Sequence, residues 1–411
     1  MVAKLKFLSR VSTWWARLLW ARFRHGRLVV VVRADKIGHL SLHTAAWIAN
    51  YASACSELAY SPSARVLVIP DSYVCNVYLW DVLGLAATRV GPIEFQKQPP
   101  ASRNISAGHE QRAWESREAL YWLLDRLPAL GRFAVETERT IVEKVGCWVG
   151  QHAPVVVGVS DGPNDSSVLE EAGLVANQQT AVIIDRDGEY FSESASSPRD
   201  ASVAEVAELT RVLLDNDYQV IRLGSSRRSM IPVSDPRFLD YPFSGIQTDR
   251  LDVELARAAD IAIGWNTGLQ QLPYIFDVPT CSLHVGADAP WPSMAHCYRS
   301  YVNREDGSMM PGWQYSIENG HIPFEELPPS VQSNVKVVPF GVDQWTEVLH
   351  AIEKWISTGG SEVSADSEKL MFCIKEAVSS SKLDGYPVPV SMWADLGNAS
   401  GSVFISPDKE G

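Results

Sequence analysis

Three short apolar runs separated by two helix-period segments dominate residues 180–286 and leave few folds open to the chain. The first, Ala181-Val182-Ile183-Ile184, ends in Asp185-Arg186-Asp187-Gly188-Glu189-Tyr190. The second, Tyr218-Gln219-Val220-Ile221-Arg222-Leu223, stops at Gly224. The third, Ala259-Asp260-Ile261-Ala262-Ile263, stops at Gly264-Trp265-Asn266-Thr267-Gly268. Residues 203–214 and 249–258 lie between them with helical spacing, so the order reads β-α-β-α-β. In such folds a ligand sits outside the carboxyl ends of the parallel strands. Arg186, Arg222 and the 265–268 loop all fall at those ends, which makes one crevice for all three an expectation.

The first half repeats the pattern. Leu28-Val29-Val30-Val31-Val32-Arg33 is an apolar strand, followed by the loop Ala34-Asp35-Lys36-Ile37-Gly38-His39-Leu40 and a helical pattern from Ser41. A strand, glycine loop and helix form a Rossmann-like βα turn whose backbone N–H groups can meet an anion or a hydroxyl-rich ligand. Neither GxGxxG nor GxxxxGK[ST] is present, so neither a dinucleotide site nor a nucleotide-hydrolysing P-loop is expected. Strands are expected at 65–70, 88–91 and 154–159, and helices at 73–83, 110–126 and 136–149. Residues 161–179 read as an interdomain connection. Beyond 286 a loose aromatic, proline-bearing region runs to 329, before a strand at 335–339 and a helix at 342–355. A terminal helix is expected at 368–378, and the last ten residues read as loosely held.

At 411 residues the chain exceeds what one core usually organises, which suits two α/β domains plus appendages. The expected boundaries are 1–27 for a basic amphipathic segment, 28–165 and 166–356 for two domains, and 357–411 for a linker, helix and tail. Net charge is −13, against a general nucleic-acid binder. Residues 1–27 hold seven cations (Lys4, Lys6, Arg10, Arg17, Arg22, Arg24 and Arg27) and no acid, so the remaining chain carries −20. Leu5, Leu8, Val11, Trp15, Leu18 and Leu19 recur there at helical spacing. Such a segment either lies on an anionic membrane surface or packs on the protein itself. The six cysteines are scattered without metal-like spacing, as suits reduced thiols in the cytosol. No run approaches the roughly 20 apolar residues of a span, and the N-terminus lacks a signal-peptide core and cleavage site. The expected location is cytoplasmic, peripheral at the inner face of the membrane.

Arg186 offers a fork of donors suited to phosphate, or a salt bridge to a local acid. Arg222 sits inside an apolar strand, where a charge is costly unless paired or placed at a site. The loop from Gly224 through Ser225-Ser226-Arg227-Arg228 could face a phosphate or simply be solvated. Asn266 or Thr267 can cap the following helix, with or without a ligand. Asp260, at a strand entrance, suits a structural hydrogen bond. His39 and Asp35 are the candidate general-base pair of the first half, the alternative being a solvated His. No Cys or acid completes a metal set around His39 and His43, so no catalytic zinc is expected. A GxSxG elbow is absent.

The Lys36-Ile37-Gly38-His39-Leu40 turn, the Arg186-to-Tyr190 segment, Val220-Ile221-Arg222-Leu223-Gly224 and the stretch Asp260 through Gly268 together resemble a bacterial glycosyltransferase family related to the O-fucosyltransferase-like branch of GT-B enzymes. The resemblance covers residues 28–286. Trp265 stands where that pattern has a smaller residue, and Ile184-Asp185 where a His precedes the strand-end Arg. The resemblance implies two Rossmann-like domains in a GT-B-type arrangement. It also implies a nucleotide-sugar donor held by the C-terminal half, a hydroxyl acceptor held by the N-terminal half, and transfer needing no metal or other cofactor. Arg186, Arg222, Gly224, Ser225, Trp265, Asn266, Thr267 and Gly268 become donor-binding candidates, Lys36 and Gly38 acceptor-side candidates, and His39 or Asp35 the base of an inverting displacement. The acceptor would be lipid-linked or a cell-surface glycan precursor. The competing expectations are a nucleotide-sugar epimerase on the same fold and a non-catalytic nucleotide- or carbohydrate-binding protein derived from it.

Overall fold

The computed structural model describes most positions within 5–20, 76–83 and 294–311, and residues 29–34, 65–70, 93–95, 122–123, 133–136, 167–186, 200–224, 229–265, 267–284, 334–358 and 403–405. The chain divides into two compact units, Met1–Trp148 with Val157–Val159, and Val149–Val156 with Ser160–Gly411. The expected strand at 154–159 and the expected helix at 368–378 lie outside the described residues.

In the first unit four strands, β1 (Val29–Ala34), β2 (Arg65–Pro70), β3 (Ile93–Phe95) and β4 (Phe133–Glu136), form one sheet in the order β3-β2-β1-β4. All three pairings are parallel. β3 falls just beyond residues 88–91, where a strand is expected, and β4 begins where the apolar spacing suggests the approach to a helix. Residues 78–83 and 122–123 are helical as the periodicity predicts.

The second unit is built on a seven-stranded sheet, β14-β10-β9-β8-β5-β6-β7. Its strands are β5 (Thr180–Ile184), β6 (Gln219–Arg222), β7 (Phe238–Asp240), β8 (Ile261–Gly264), β9 (Thr280–His284), β10 (Ala295–Tyr298) and β14 (Val403–Ile405), all paired in parallel. A second sheet, β12-β11-β13, is antiparallel and uses β11 (Ser300–Asn303), β12 (Met309–Pro311) and β13 (Val335–Val337). The aromatic region after 286 is therefore more regular than its proline content suggests. Val403–Ile405 corrects the expectation of a loose tail, since it extends the main sheet along β10.

Among the described residues these strands are accompanied by α1 (Ser167–Glu171), α2 (Val203–Asp215), α3 (Asp249–Arg257), α4 (Gln271–Ile275) and α5 (Val342–Ser357). α1 lies inside residues 161–179, expected to be a plain connection. β5 is buried along its whole length, as a central parallel strand covered on both faces must be. α2 starts where Ser202 Oγ accepts the Glu205 N–H at 3.1 Å, and its buried face includes Val206, Leu209 and Leu213. α5 buries Trp345, Val348, Leu349, Ile352 and Trp355, an apolar stripe at helical spacing. Alternation along the strands sends Ala181, Ile183, Ile261 and Ile263 into one core with α2 and α5. Fully burying each such aliphatic side chain contributes roughly 1.5–3 kcal/mol.

Candidate functional site

β5 lies in the middle of the sheet although it is first in the chain. The chain runs outward from it through β6 to β7, then returns to its other side for β8, β9 and β10. The connections therefore diverge between β5 and β8, leaving a crevice at their carboxyl ends. The register pairs Ile184 with Gly264, so Arg186 and the 265–268 loop leave neighbouring strands at the same level. Ile183 pairs with Arg222, which brings Gly224 to this end as well.

Arg222 is only 1% exposed, and its donors are committed within the protein. Nε donates to Asp185 Oδ1 at 3.1 Å and Nη2 to Asp185 Oδ2 at 2.8 Å, a bidentate fork. Nη1 donates to the Ser229 carbonyl at 2.8 Å and to Asp240 Oδ1 at 3.2 Å, while Asp240 Oδ2 accepts the Ile231 N–H at 2.8 Å. Burial alone would depress the pKa of this guanidinium, but the hydrogen bond and charge of Asp185, then those of Asp240, outweigh it and hold the pKa above its ordinary value. The expected phosphate contact is thus replaced by a buried clamp joining the ends of β5, β6 and β7. Its physical reason is the one the sequence raised: a charge in an apolar strand must be paired.

Arg186 follows this clamp. Its Nε lies 3.3 Å from Asp200 Oδ1, and the Ala201 N–H donates to the Arg186 carbonyl. The two contacts close the base of the segment between β5 and α2. Gly224 adopts a φ of 145°, in the region that favours glycine, so the chain turns sharply where β6 ends. Ser225 lies outside the described residues.

The loop after β8 is held from beneath. The Trp265 N–H donates to the Ile184 carbonyl at 3.0 Å, and its indole, 1% exposed, packs 5.7 Å from the Trp345 ring within the α2–α5 core. Trp265 is therefore a core residue, which corrects its placement among the donor contacts: a large apolar ring gains most where it leaves water. Gln270 braces the loop from the other face. Its Oε1 accepts the Thr267 N–H at 3.3 Å and its Nε2 donates to Ser282 Oγ at 2.8 Å. Gly264 makes room for this brace, since a Cβ there would lie 2.6 Å from Gln270 Oε1 and 2.7 Å from Gln270 Cβ. The Thr267 N–H is consequently turned onto the protein.

Three buried polar atoms between the end of β8 and the start of α4 have no hydrogen-bond partner, the Trp265 indole nitrogen inside the core and two others. Thr267 Oγ1 and Gln271 Oε1 are both buried without a hydrogen bond, and Gln271 as a whole is 4% exposed. They stand four residues apart, on adjoining turns across the 3-10 turn Gly268–Gln270 that leads into α4. Sequence reasoning found Thr267 as a cap but missed Gln271. The signal available was its spacing from Thr267.

Asn266 lies outside the described residues, as do Asp35, Lys36, Gly38 and His39. Asp260, read as structural, accepts the Thr180 N–H at 2.7 Å through Oδ2. Among the described residues, no group of three or more His, Cys, Asp or Glu side chains is placed to hold a metal ion.

No family model and no curated protein matches the sequence. Among solved structures, the chain is similar to the E. coli ADP-heptose lps heptosyltransferase II, at 13% identity and a TM-score of 0.38 over 64% of this chain and 86% of that one. It is also similar to the E. coli heptosyltransferase WaaC with ADP-2-deoxy-2-fluoro heptose, at 10% identity and a TM-score of 0.36 over 64% and 90% of the two chains. A glycosyl transferase family 9 protein from Veillonella parvula DSM 2008 gives 10% identity and a TM-score of 0.36 over 64% and 82%.

Proposed function

We propose that the protein is a glycosyltransferase that binds a nucleotide-sugar at the crevice between β5 and β8 and transfers the sugar to a hydroxyl acceptor. The observation that carries this reading is the pair of unpartnered polar atoms, Thr267 Oγ1 in the β8 loop and Gln271 Oε1 at the start of α4, next to the point where the strand order diverges. A buried acceptor without a donor costs roughly 1–3 kcal/mol. That cost is recovered if a ligand hydroxyl donates to Gln271 Oε1 and another polar group meets the Thr267 hydroxyl. The cation at Arg186 supplies the complementary preference for phosphate. A nucleotide-sugar carries both hydroxyls and a diphosphate, which is why this ligand class fits the set.

In this reading Arg186 stabilises charge on the departing nucleoside diphosphate, and Thr267 with Gln271 orients a hydroxyl-bearing part of the donor. Arg222 acts at one remove, by holding Asp185 and therefore the start of the β5 loop. Gly268, and Ser225 and Asn266 if they join the loop, complete the donor contacts. His39 or Asp35, with Lys36 and Gly38 beside the acceptor, would take the acceptor proton in an inverting, metal-independent displacement. The acceptor is a lipid-linked or cell-surface glycan precursor met at the inner face of the membrane, a reading that rests on the basic residues 1–27.

The test combines calorimetry and thermal unfolding against a panel of nucleoside diphosphates and nucleotide-sugars, with and without chelator. One member should raise the melting temperature by mass action. Thr267→Val with Gln271→Leu should abolish that shift, while the ligand-free melting temperature stays the same or rises because two unsatisfied groups are gone. Silence across the panel by folded protein, or unchanged binding by the double variant, would refute the proposal. Turnover of a donor without any acceptor would assign an epimerase instead.

A further inference from the structure

Every described residue between Leu5 and Trp20 is helical, and Thr13 Oγ1 donates to the Ser9 carbonyl at 2.9 Å. Burial divides these residues into two sets. Phe7, Val11 and Trp15, each four apart, are half-buried. The Phe7 ring meets Trp122 edge-on, with centroids 6.0 Å apart and planes at 84°. Beside this stripe and round the helix from it, Leu8, Leu19, Leu5 and Trp20 are exposed at 55%, 38%, 59% and 63%. Ser9, Ser12, Thr13 and Ala16 line a shallow groove next to Trp20. The helix is thus held to its own unit by one apolar stripe, while three leucines and a tryptophan, interleaved with Ser9, Ser12 and Thr13, show to solvent.

We propose that this outward face docks the first unit on an anionic lipid surface, with the helix lying in the plane of the headgroups. Exposed leucines and a tryptophan on a helix are the side chains that enter the headgroup–acyl boundary. Among the described residues no helix is long and apolar enough to cross a membrane, so contact is at the surface. Charge selects the partner. Residues 1–27 carry +7 while the rest of the chain carries −20, so an anionic surface attracts this end and repels the remainder. The Phe7–Trp122 contact means that the unit follows the helix to the lipid. The inference deepens the membrane placement proposed above and is read by association, not by turnover, so it can fail while the transferase reading stands.

The full-length protein is sedimented with vesicles of phosphatidylcholine alone and of phosphatidylcholine mixed with phosphatidylglycerol. Partition onto the anionic vesicles should exceed that onto the neutral ones by at least about tenfold. It should fall about tenfold between roughly 0.1 and 0.5 M salt, as screening shortens the reach of the charges. Leu5→Ser with Leu8→Ser should weaken it about tenfold with the melting temperature unchanged, because both side chains are more than half exposed. Equal partition onto both vesicles, no association, or full association by the double variant would overturn the inference. So would a homodimer that the double variant dissociates, which would give the face to a second copy of the chain.

Discussion

Removing the Arg222 guanidinium would leave Asp185 and Asp240 with no counter-charge where three strands end. Asp185 is 3% exposed, so its charge has little access to water. Loss of one partner from a buried pair costs about 3–5 kcal/mol, most of it from the stranded charge. Arg222→Ala should lower the unfolding free energy by about that amount in a denaturant titration. A change below about 1 kcal/mol would show that the pair is exposed in solution, since exposed pairs are worth no more. That Arg222 is unusual was legible from its apolar neighbours. Its partners were not, because Asp185 lies 37 residues earlier and Asp240 18 residues later, and only the sheet brings them together. Trp265 misled for a related reason: its position after a strand was visible, but the direction of its ring depends on Trp345, which belongs to a distant helix.

At the level of elements, the β8 loop depends on a glycine inside the strand. Gly264→Ala would press a methyl group against Gln270 Cβ, which a side-chain rotation cannot relieve. The variant should lose about 1–3 kcal/mol of stability. Adding Gln270→Gly, which removes that Cβ, should recover part of the loss while leaving the Thr267 N–H without its acceptor. Calorimetric melting of the two variants decides it: an equal loss in both would mean that the clash is not with Gln270. The helices α2, α3 and α5 could be seen in the sequence because their period runs through many residues, and β5, β6 and β8 because each is an apolar run that stops at a charge or a glycine. The three- and four-residue strands β3, β10, β11, β12 and β14 could not. Too few side chains alternate in them, and their pairing partners lie far along the chain.

The second unit is also tied across its thickness. The Tyr218 hydroxyl, at the entrance of β6, donates to Glu353 Oε1 on α5 at 3.2 Å. Burial, followed by the charge of Glu353 and this hydrogen bond, pushes the phenol up to about 12. The folded state therefore favours the neutral form. Its contribution is complete below the ordinary value of 10.0 and is lost as pH rises through about 12. Tyr218→Phe should flatten the decline in stability between those values, read as the difference in urea unfolding free energy from the unaltered protein. An unchanged slope would mean that other groups govern alkaline unfolding.

The two margins of the β5–β8 crevice are fastened by bonds of different kinds. Gln270 pins the β8 loop through a neutral amide, to Thr267 and Ser282. Arg186–Asp200 and the Asp185–Arg222–Asp240 clamp hold the opposite margin through charge. Ionic strength acts on the second kind and passes over the first. The partly exposed Arg186–Asp200 pair should yield before the buried clamp. A change of medium would then swing one jamb of the doorway while the other stays still, and a ligand held across it would lose its grip from the charged side first.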